Sequence, residues 1–151
     1  MVNKYFSGSV SNKDVTEDVD TELKNMVSVL DDKVTLKMDE LQVGEAIDAI
    51  FDVLRRSNKY IDETMPWALA KEEDKKDRLE TVLYNLLESI RICACLLESF
   101  MPDTSKEILR QLATDCTSLE FRTDLEYHVD TPKVLFARID KDAKLKEISE
   151  K

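Results

Sequence analysis

Glycine and proline are scarce throughout this chain, which has 151 residues but only two glycines and three prolines. A β-sandwich or barrel of this length needs a turn about every eight to twelve residues, and glycine, proline and Asn-Gly pairs supply most such turns. Their shortage therefore excludes most all-β folds and favours long helices. Because 42% of the residues are hydrophobic, the chain can build the core of one compact domain.

Apolar side chains recur every three or four residues along four stretches, as they do on one face of an amphipathic helix. The stretches cover residues 17–41, 43–65, 79–100 and 103–112. Asp20 or Thr21 is suited to cap the first helix. Pro66 ends the second, because the residue before a proline is disfavoured in the helical conformation. The third stretch is apolar around most of its circumference, which is typical of a central helix.

The periodicity fades after the fourth stretch. We expect residues 114–132 to form an irregular connection with short extended pieces, and the C-terminal end to form a last short helix. The sequence therefore predicts an all-α fold in one domain, residues 1–151. In this domain an antiparallel helix bundle, residues 1–112, carries an irregular C-terminal arm, residues 113–151.

The formal net charge is −10, which argues against DNA and nonspecific nucleic acid as partners, because phosphate contacts demand a basic face. This charge does not exclude local recognition of RNA bases. No apolar run approaches the roughly 18 residues that span a bilayer. The N-terminus MVNKYFSGSV also lacks the basic and apolar regions of a signal peptide. We therefore expect a cytoplasmic protein with no membrane partner.

The three cysteines, Cys93, Cys95 and Cys116, are interpreted as unpaired, small buried hydrophobic residues. Side chains two positions apart on a helix point to different sides, so Cys93 and Cys95 make a poor metal-binding pair. The single histidine, His128, lies far along the chain and has no nucleophile near it in sequence. We predict no metal site and no catalytic residues.

The stretch Asn58 to Lys71, NKYIDETMPWALAK, contains the only tryptophan, Trp67, directly after Pro66. A tryptophan at such a helix end commonly anchors the turn by packing its ring against the protein. The alternative is an exposed ring that stacks on an unpaired RNA base.

Four stretches together resemble the anticodon-binding domain of bacterial methionyl-tRNA synthetase. They are VNKYF near the start, NKYIDETMPWALAK, the long segment RLETVLYNLLESIRICACLLESFMPDTSKEILRQL and the late VLFARID, in the family's order. The resemblance covers essentially the whole chain, although residues 114–132 match only loosely.

This resemblance implies an all-helical bundle attached after a class I catalytic core. In that family the domain reads the CAU anticodon of methionine tRNA, and the tryptophan matching Trp67 stacks on the first anticodon base. The positions matching Asn58, Asp62 and Pro66 shape or support the site. The implied partners are the anticodon loop of methionine tRNA and the catalytic domain of the parent chain.

Two departures from the family limit what this chain can do. The family also reads the anticodon with an Asn and an Arg on the helix that leads into VNKYF, and these positions lie upstream of Met1. The HIGH and KMSKS signatures, by which class I synthetases bind ATP and stabilise adenylate formation, are missing. We therefore expect a fragment that binds tRNA and has no cofactor of its own, whose parent enzyme uses ATP.

Several structural alternatives remain open for these residues. Asp62 is equally suited to accept a hydrogen bond from Arg55 or Lys59 on the same helix. Asn58 is suited to bond across to a neighbouring helix, and Tyr60 to bury its ring. The whole chain has an alternative as well, a non-catalytic helical module whose acidic surface binds protein.

Overall fold

The chain is mostly α-helical in the computed structural model, which describes residues 1–149. Its elements are α1 (Val2–Phe6), β1 (Ser9–Ser11), α2 (Asp18–Ser28), α3 (Leu30–Asp39), α4 (Val43–Thr64), α5 (Pro66–Leu69), a 3-10 turn (Glu73–Lys75), α6 (Lys76–Leu97), α7 (Pro102–Leu112), β2 (Glu126–His128) and α8 (Lys141–Ser149). The predicted all-α class is confirmed, with one small sheet added. The expected C-terminal helix forms as α8, and residues 150 and 151 lie outside the described part.

Helix α6 is the centre of the bundle and packs against α2, α4, α5 and α7. Its buried apolar residues lie on several sides of the helix, as the sequence predicts, and they include Leu79, Val82, Leu83, Leu86, Ile92 and Leu97. Fully burying one such side chain contributes about 1.5–3 kcal/mol, so this helix supplies much of the core energy.

The first predicted helix is interrupted at Val29, where the structure has α2 and α3 instead of one continuous helix. The Ser28 hydroxyl donates a hydrogen bond to the Asn25 carbonyl at 2.9 Å, and side-chain bonds of this kind favour bending. The apolar stripe continues through the bend, so the periodicity did not reveal it.

The start of α2 also differs from the prediction, because neither Asp20 nor Thr21 is the N-cap. Glu17 occupies that position, and its side chain accepts a hydrogen bond from the backbone N–H of Asp20. The Asp20 carboxylate accepts one from the backbone N–H of Glu17 at 2.7 Å, which completes a capping box. Asp20 therefore lies inside the helix, where it is fully buried.

The irregular connection returns to the N-terminus and pairs with it. Strands β1 and β2 are antiparallel, with Val10 opposite Tyr127, and both of these side chains are buried. Gly8 has a φ of +94°, which suits glycine and lets the chain reverse between α1 and β1. Short extended pieces were expected within residues 114–132, where β2 lies, whereas β1 was not expected because three residues are too few to give a periodic signal.

Cys95 and Cys116 form a disulfide, so the prediction that all three cysteines are unpaired is wrong for these two. Their Cα atoms are 5.5 Å apart, because the chain after α7 folds back along the end of α6. An irregular segment gives no pattern from which that return can be predicted. Cys93 is unpaired and buried, and burial raises the pKa of its thiol to about 12.

The longest helices, α4 and α6, have 22 residues each and carry charged side chains along their length. Within residues 1–149, no helix combines the length and apolar character needed to cross a membrane. In the same part of the chain, no three His, Cys, Asp or Glu side chains gather where they could hold a metal ion.

Candidate nucleic-acid interface

Helix α4 joins α5 through one residue in the left-handed conformation. Met65 has φ 43° and ψ 62°, and its N–H donates to the Ile61 carbonyl at 3.0 Å. Its own carbonyl accepts hydrogen bonds from the N–H groups of Ala68 at 2.8 Å and Leu69 at 3.2 Å. Met65 therefore closes α4 and starts α5, and the left-handed backbone turns the chain between them.

Pro66 is the first residue of α5. A proline suits this position because the N–H of the first helical residue has no partner within the helix, and because the proline ring already holds φ at a helical value. Its ring is buried, which fixes the start of this short helix. Trp67 follows and is 47% exposed, beside Met65 at 49%. Within the described residues the indole N–H has no hydrogen-bond partner. About half of the tryptophan therefore remains open to solvent while the rest packs against the protein.

Asn58 and Asp62 lie one turn apart on the last turns of α4, and both are exposed. Neither side chain makes a hydrogen bond or an ion pair with another residue of the described chain. The bond from Asn58 to a neighbouring helix, which the sequence allowed, is not formed. Their polar atoms are instead available to a partner molecule.

The basic residues near Asp62 are paired with other acids. Arg55 contacts Asp52 at 2.6 Å, and Lys59 lies 3.4 Å from Glu63. The alternative in which Asp62 serves Arg55 or Lys59 is therefore not what the structure shows.

Tyr60 is fully buried beneath this surface, as its structural interpretation requires. Its hydroxyl donates to the Asp20 carboxylate and accepts a hydrogen bond from Asn85 at 3.2 Å. Arg78 donates two hydrogen bonds to Asp20, at 2.7 and 3.0 Å. Burial and the bond to Asp20 raise the pKa of Tyr60. Burial alone would raise the pKa of Asp20, but hydrogen bonds from Arg78 and Tyr60 outweigh it and lower that pKa.

A second polar contact ties α4 to α2. Arg56 is buried, with Nε 3.1 Å from Glu22 and Nη1 2.9 Å from Glu63. Its charge is matched by these two acids, so Arg56 is not a free cation for a phosphate group. Together with the Tyr60 contacts, it holds the last turns of α4 firmly on the bundle.

An apolar groove of about 340 Å³ borders Asn58. Its apolar lining comes from α1, α4 and α6 and includes Val2, Leu54, Ile61, Leu83, Leu86 and Ile90. Of the four predicted site residues only Asn58 lines it, and Asp62, Pro66 and Trp67 lie outside it. The groove carries no sequence signal of its own, because its residues belong to the same helical stripes as the core.

Comparisons with known proteins agree with this architecture. A family model for the anticodon binding domain of methionyl tRNA ligase matches residues 10–151. Over 154 aligned residues, the chain is 44% identical to the methionine–tRNA ligase of Clostridium tetani and 42% identical to that of Clostridium acetobutylicum. Each alignment covers 99% of this chain and 24% of the relative.

Solved structures give the same result. The apo form of Mycobacterium tuberculosis methionyl-tRNA synthetase aligns with a TM-score of 0.84 and 29% identity, over 93% of this chain and 30% of that one. The same enzyme in complex with methionyl-adenylate aligns with a TM-score of 0.83 and 30% identity, over 91% and 28%.

The chain thus spans about a quarter of the length of the curated relatives it matches. The matched region includes the whole candidate interface, from Asn58 to Trp67. The helical bundle, its fold neighbours and its sequence relatives all lead to one conclusion: this chain belongs to the family of anticodon-binding domains of methionyl-tRNA ligases.

Proposed function

We propose that this chain binds the anticodon loop of methionine tRNA and recognises its CAU anticodon, as part of a methionine–tRNA ligase. The observation that carries this proposal is the half-exposed Trp67, fixed at the turn after α4. Stacking on a base and hydrogen bonds to base edges need no excess of cations. This mode of binding therefore suits a chain whose net charge is −10.

The four residues have separate roles in this proposal. Trp67 stacks on the first anticodon base, and Pro66 fixes the turn that presents the ring. Asn58 carries an amide that both donates and accepts, and Asp62 carries a carboxylate that accepts from an amino group such as that of cytosine. These two side chains support discrimination between bases, which stacking alone does not provide.

The chemistry belongs to parts of the ligase outside this chain. There, ATP and methionine would be used to charge the tRNA, and the catalytic domain of the parent protein is the covalent partner. The bundle of residues 1–112 carries the proposed interface. The cytoplasmic location expected from the sequence suits this role. A protein-binding helical module is not favoured, because the relatives are methionine–tRNA ligases.

The direct test uses the fluorescence of Trp67, the only tryptophan. An anticodon stem-loop carrying CAU should quench it on binding, because the indole stacks on a base. A stem-loop changed at the first anticodon base should bind more weakly. Quenching of equal strength by both stem-loops would contradict recognition of that base.

Variants at this position test the stacking role. Trp67→Ala should weaken binding of a labelled CAU stem-loop by about 10- to 100-fold, since stacking contributes about 1–3 kcal/mol per base. Trp67→Phe keeps an aromatic face and should lose less. Phe136→Ala is the matched control, because Phe136 is an exposed aromatic of the arm, at 64%. Equal losses for Trp67→Ala and Phe136→Ala would overturn the assignment.

A further inference from the structure

The disulfide between Cys95 and Cys116 is more open to solvent at Cys116 than at Cys95. Cys95 lies in the last turns of α6 and is 9% exposed, whereas Cys116 is exposed. Cys116 lines a polar hollow of about 470 Å³ between α7 and the chain that follows it. Cys95 instead lines a groove beside α3. A small molecule in water can therefore approach Cys116 more readily than Cys95.

The hollow beside Cys116 contains charges of both signs. Lys106 and Arg110 supply the cations, and Glu98, Asp103 and Asp115 supply the anions. Lys106 makes no ion pair within residues 1–149, so its charge is available to a visiting molecule. Such a lining suits a small thiol that carries both carboxylate and ammonium groups.

We propose that Cys95 and Cys116 form a reversible redox site that exchanges with low-molecular-weight thiols and disulfides of the glutathione class through this hollow. For oxidation, the Cys116 thiolate attacks one sulfur of the small disulfide, forms a mixed disulfide and releases one small thiolate. The Cys95 thiolate then attacks the Cys116 sulfur and releases the second. Two electrons pass to the small disulfide, and the two protein thiol protons go to the released thiolates.

Reduction follows the same steps in reverse. A small thiolate attacks the sulfur of Cys116, and Cys95 leaves as a thiolate. A second small thiolate then attacks the small-molecule sulfur of the mixed disulfide and frees Cys116. Cys93 takes no part, because it is buried and the high pKa of its thiol keeps it protonated.

The redox state controls one short stretch of chain. Residues 113–117 lie between the end of α7 and Ser118, whose carbonyl accepts a hydrogen bond from Arg91. The N–H groups of Ala113 and Thr114 bond to carbonyls at the end of α7, Asp115 and Thr117 bond to each other, and the Thr117 hydroxyl accepts a hydrogen bond from Arg122 at 3.2 Å. None of these bonds reaches α6, so the disulfide is the main tie of this stretch to that helix. Reduction frees residues 113–117 and leaves the chain from Ser118 onward anchored.

The first experiment equilibrates this chain with mixtures of reduced and oxidised glutathione, followed by alkylation and mass analysis of its peptides. Both forms should be populated within the series, with Cys95 and Cys116 as the pair. A bond that persists in a large excess of reduced glutathione would overturn reversibility. Pairing that involves Cys93, or no bond in excess oxidised glutathione, would overturn the site itself. Cys93→Ser is the matched control and should leave the titration unchanged.

The second experiment measures amide hydrogen exchange in the two redox states of the wild-type chain. Exchange should rise on reduction in residues 113–117 and stay constant in residues 118–127. Cys116→Ser should reproduce the reduced pattern, and the reduced wild type supplies the same measurement if that variant does not fold. Equal exchange in both states would show that the disulfide constrains nothing.

The role of the hollow is tested separately through Lys106. Glutathione carries net negative charge, so Lys106→Gln should slow its attack on the disulfide by about two- to fivefold, as expected for one exposed charge. Attack by 2-mercaptoethanol, whose thiolate carries one negative charge fewer than that of glutathione, should be slowed less by the same substitution. Equal rates with glutathione would show that the small thiol does not enter through this hollow.

Discussion

Two buried clusters lie along α6, and each contains an arginine, a carboxylate and a tyrosine hydroxyl. The first, the Arg78 cluster, consists of Arg78, Asp20 and Tyr60, which come from α6, α2 and α4. Its central contacts join side chains to side chains, and two further bonds reach the backbone. Arg78 donates to the Val15 carbonyl at 3.0 Å, and Asp20 accepts from the Glu17 N–H at 2.7 Å. Arg78 also reaches outward to Glu17 at 3.1 Å, whose side chain is 62% exposed. This cluster fastens three helices together under the candidate interface and stays in touch with solvent.

The second, the Arg91 cluster, consists of Arg91, Glu88 and Tyr127, and the arginine and the acid have no exposed side-chain surface. Arg91 donates two hydrogen bonds to Glu88, each at 2.9 Å, and the Tyr127 hydroxyl donates to the same carboxylate. The remaining contacts go to the backbone of residues 118–122, through carbonyls that face Arg91 and an N–H that faces Glu88. This cluster fastens an irregular segment to a helix.

The clusters differ because the chain segments packed against them leave different numbers of backbone groups without hydrogen-bond partners. Helices bond most of their own backbone groups, so a junction of helices is made mainly by side chains. An irregular segment leaves N–H and C=O groups unpaired, and burying them requires donors and acceptors from elsewhere. Arg91 supplies donors and Glu88 supplies an acceptor. For residues 118–122 these side chains therefore make the hydrogen bonds that a helix or sheet would otherwise provide.

The largest expected effect comes from Arg91→Met. This change leaves Glu88 as a buried charge without its cation and leaves the carbonyls of Ser118 and Glu120 without donors. We expect the free energy of unfolding to fall by about 3–5 kcal/mol. Urea denaturation measures that loss, and hydrogen exchange should rise most in residues 118–127.

Arg78→Met is the matched change in the other cluster and should cost less, about 2–3 kcal/mol. Asp20 keeps its hydrogen bonds from Tyr60 and from the backbone of Glu17, and water can reach the cluster from the Glu17 side. A loss as large as that of Arg91→Met would break the distinction between the two clusters.

Removing the two tyrosine hydroxyls should have intermediate effects on the free energy of unfolding. Here the larger cost is expected in the Arg78 cluster. Tyr127→Phe removes one donor to Glu88 and should cost about 1 kcal/mol. Tyr60→Phe removes a donor to Asp20 and also the acceptor for Asn85, whose Oδ1 is already buried without a partner among the described residues. We expect its cost to reach about 2 kcal/mol in urea denaturation. The opposite order would show that Asn85 finds another partner.

The smallest effect is the response of the Arg78 cluster to acid below about pH 4. The folded-state pKa of Asp20 lies below its unfolded value, so its stabilisation is fully present above about pH 4. It is lost as the pH falls through the folded-state pKa. Asp20→Asn should therefore give a flatter fall of unfolding free energy between neutral and acidic pH. If the unfolding free energy of that variant fell as steeply in acid as that of the wild type, groups other than Asp20 would cause the fall.

Sequence reasoning succeeded where side chains alone decide the structure. Periodic apolar residues located α4, α6 and α7, and a proline located the end of α4. Sequence reasoning failed where backbone groups decide. Arg91 and Glu88 bind backbone atoms that are chemically alike at every residue, so no pattern indicates which segment they hold. The pairing of Cys95 with Cys116 depends on the same segment and was missed for the same reason.

The candidate interface also combines features that the sequence indicated with features that it did not. The motif around Trp67 was visible because a tryptophan after a proline is rare, and the resemblance to a family gave it a role. The left-handed Met65 and the groove beside Asn58 were not visible, because Met65 carries no glycine or asparagine signal and the groove residues look like core.

The pairing of β1 with β2 sets an order in which this chain can become structured as it is made. Ser9 and His128 are partners across 119 positions, so β1 has nothing to pair with until all the bundle helices have been synthesised. Closing so long a loop is slow compared with forming local helices. Within this domain α1 and β1 are therefore synthesised first but are among the last elements to be fixed, because the arm must leave the ribosome before this end of the bundle is complete.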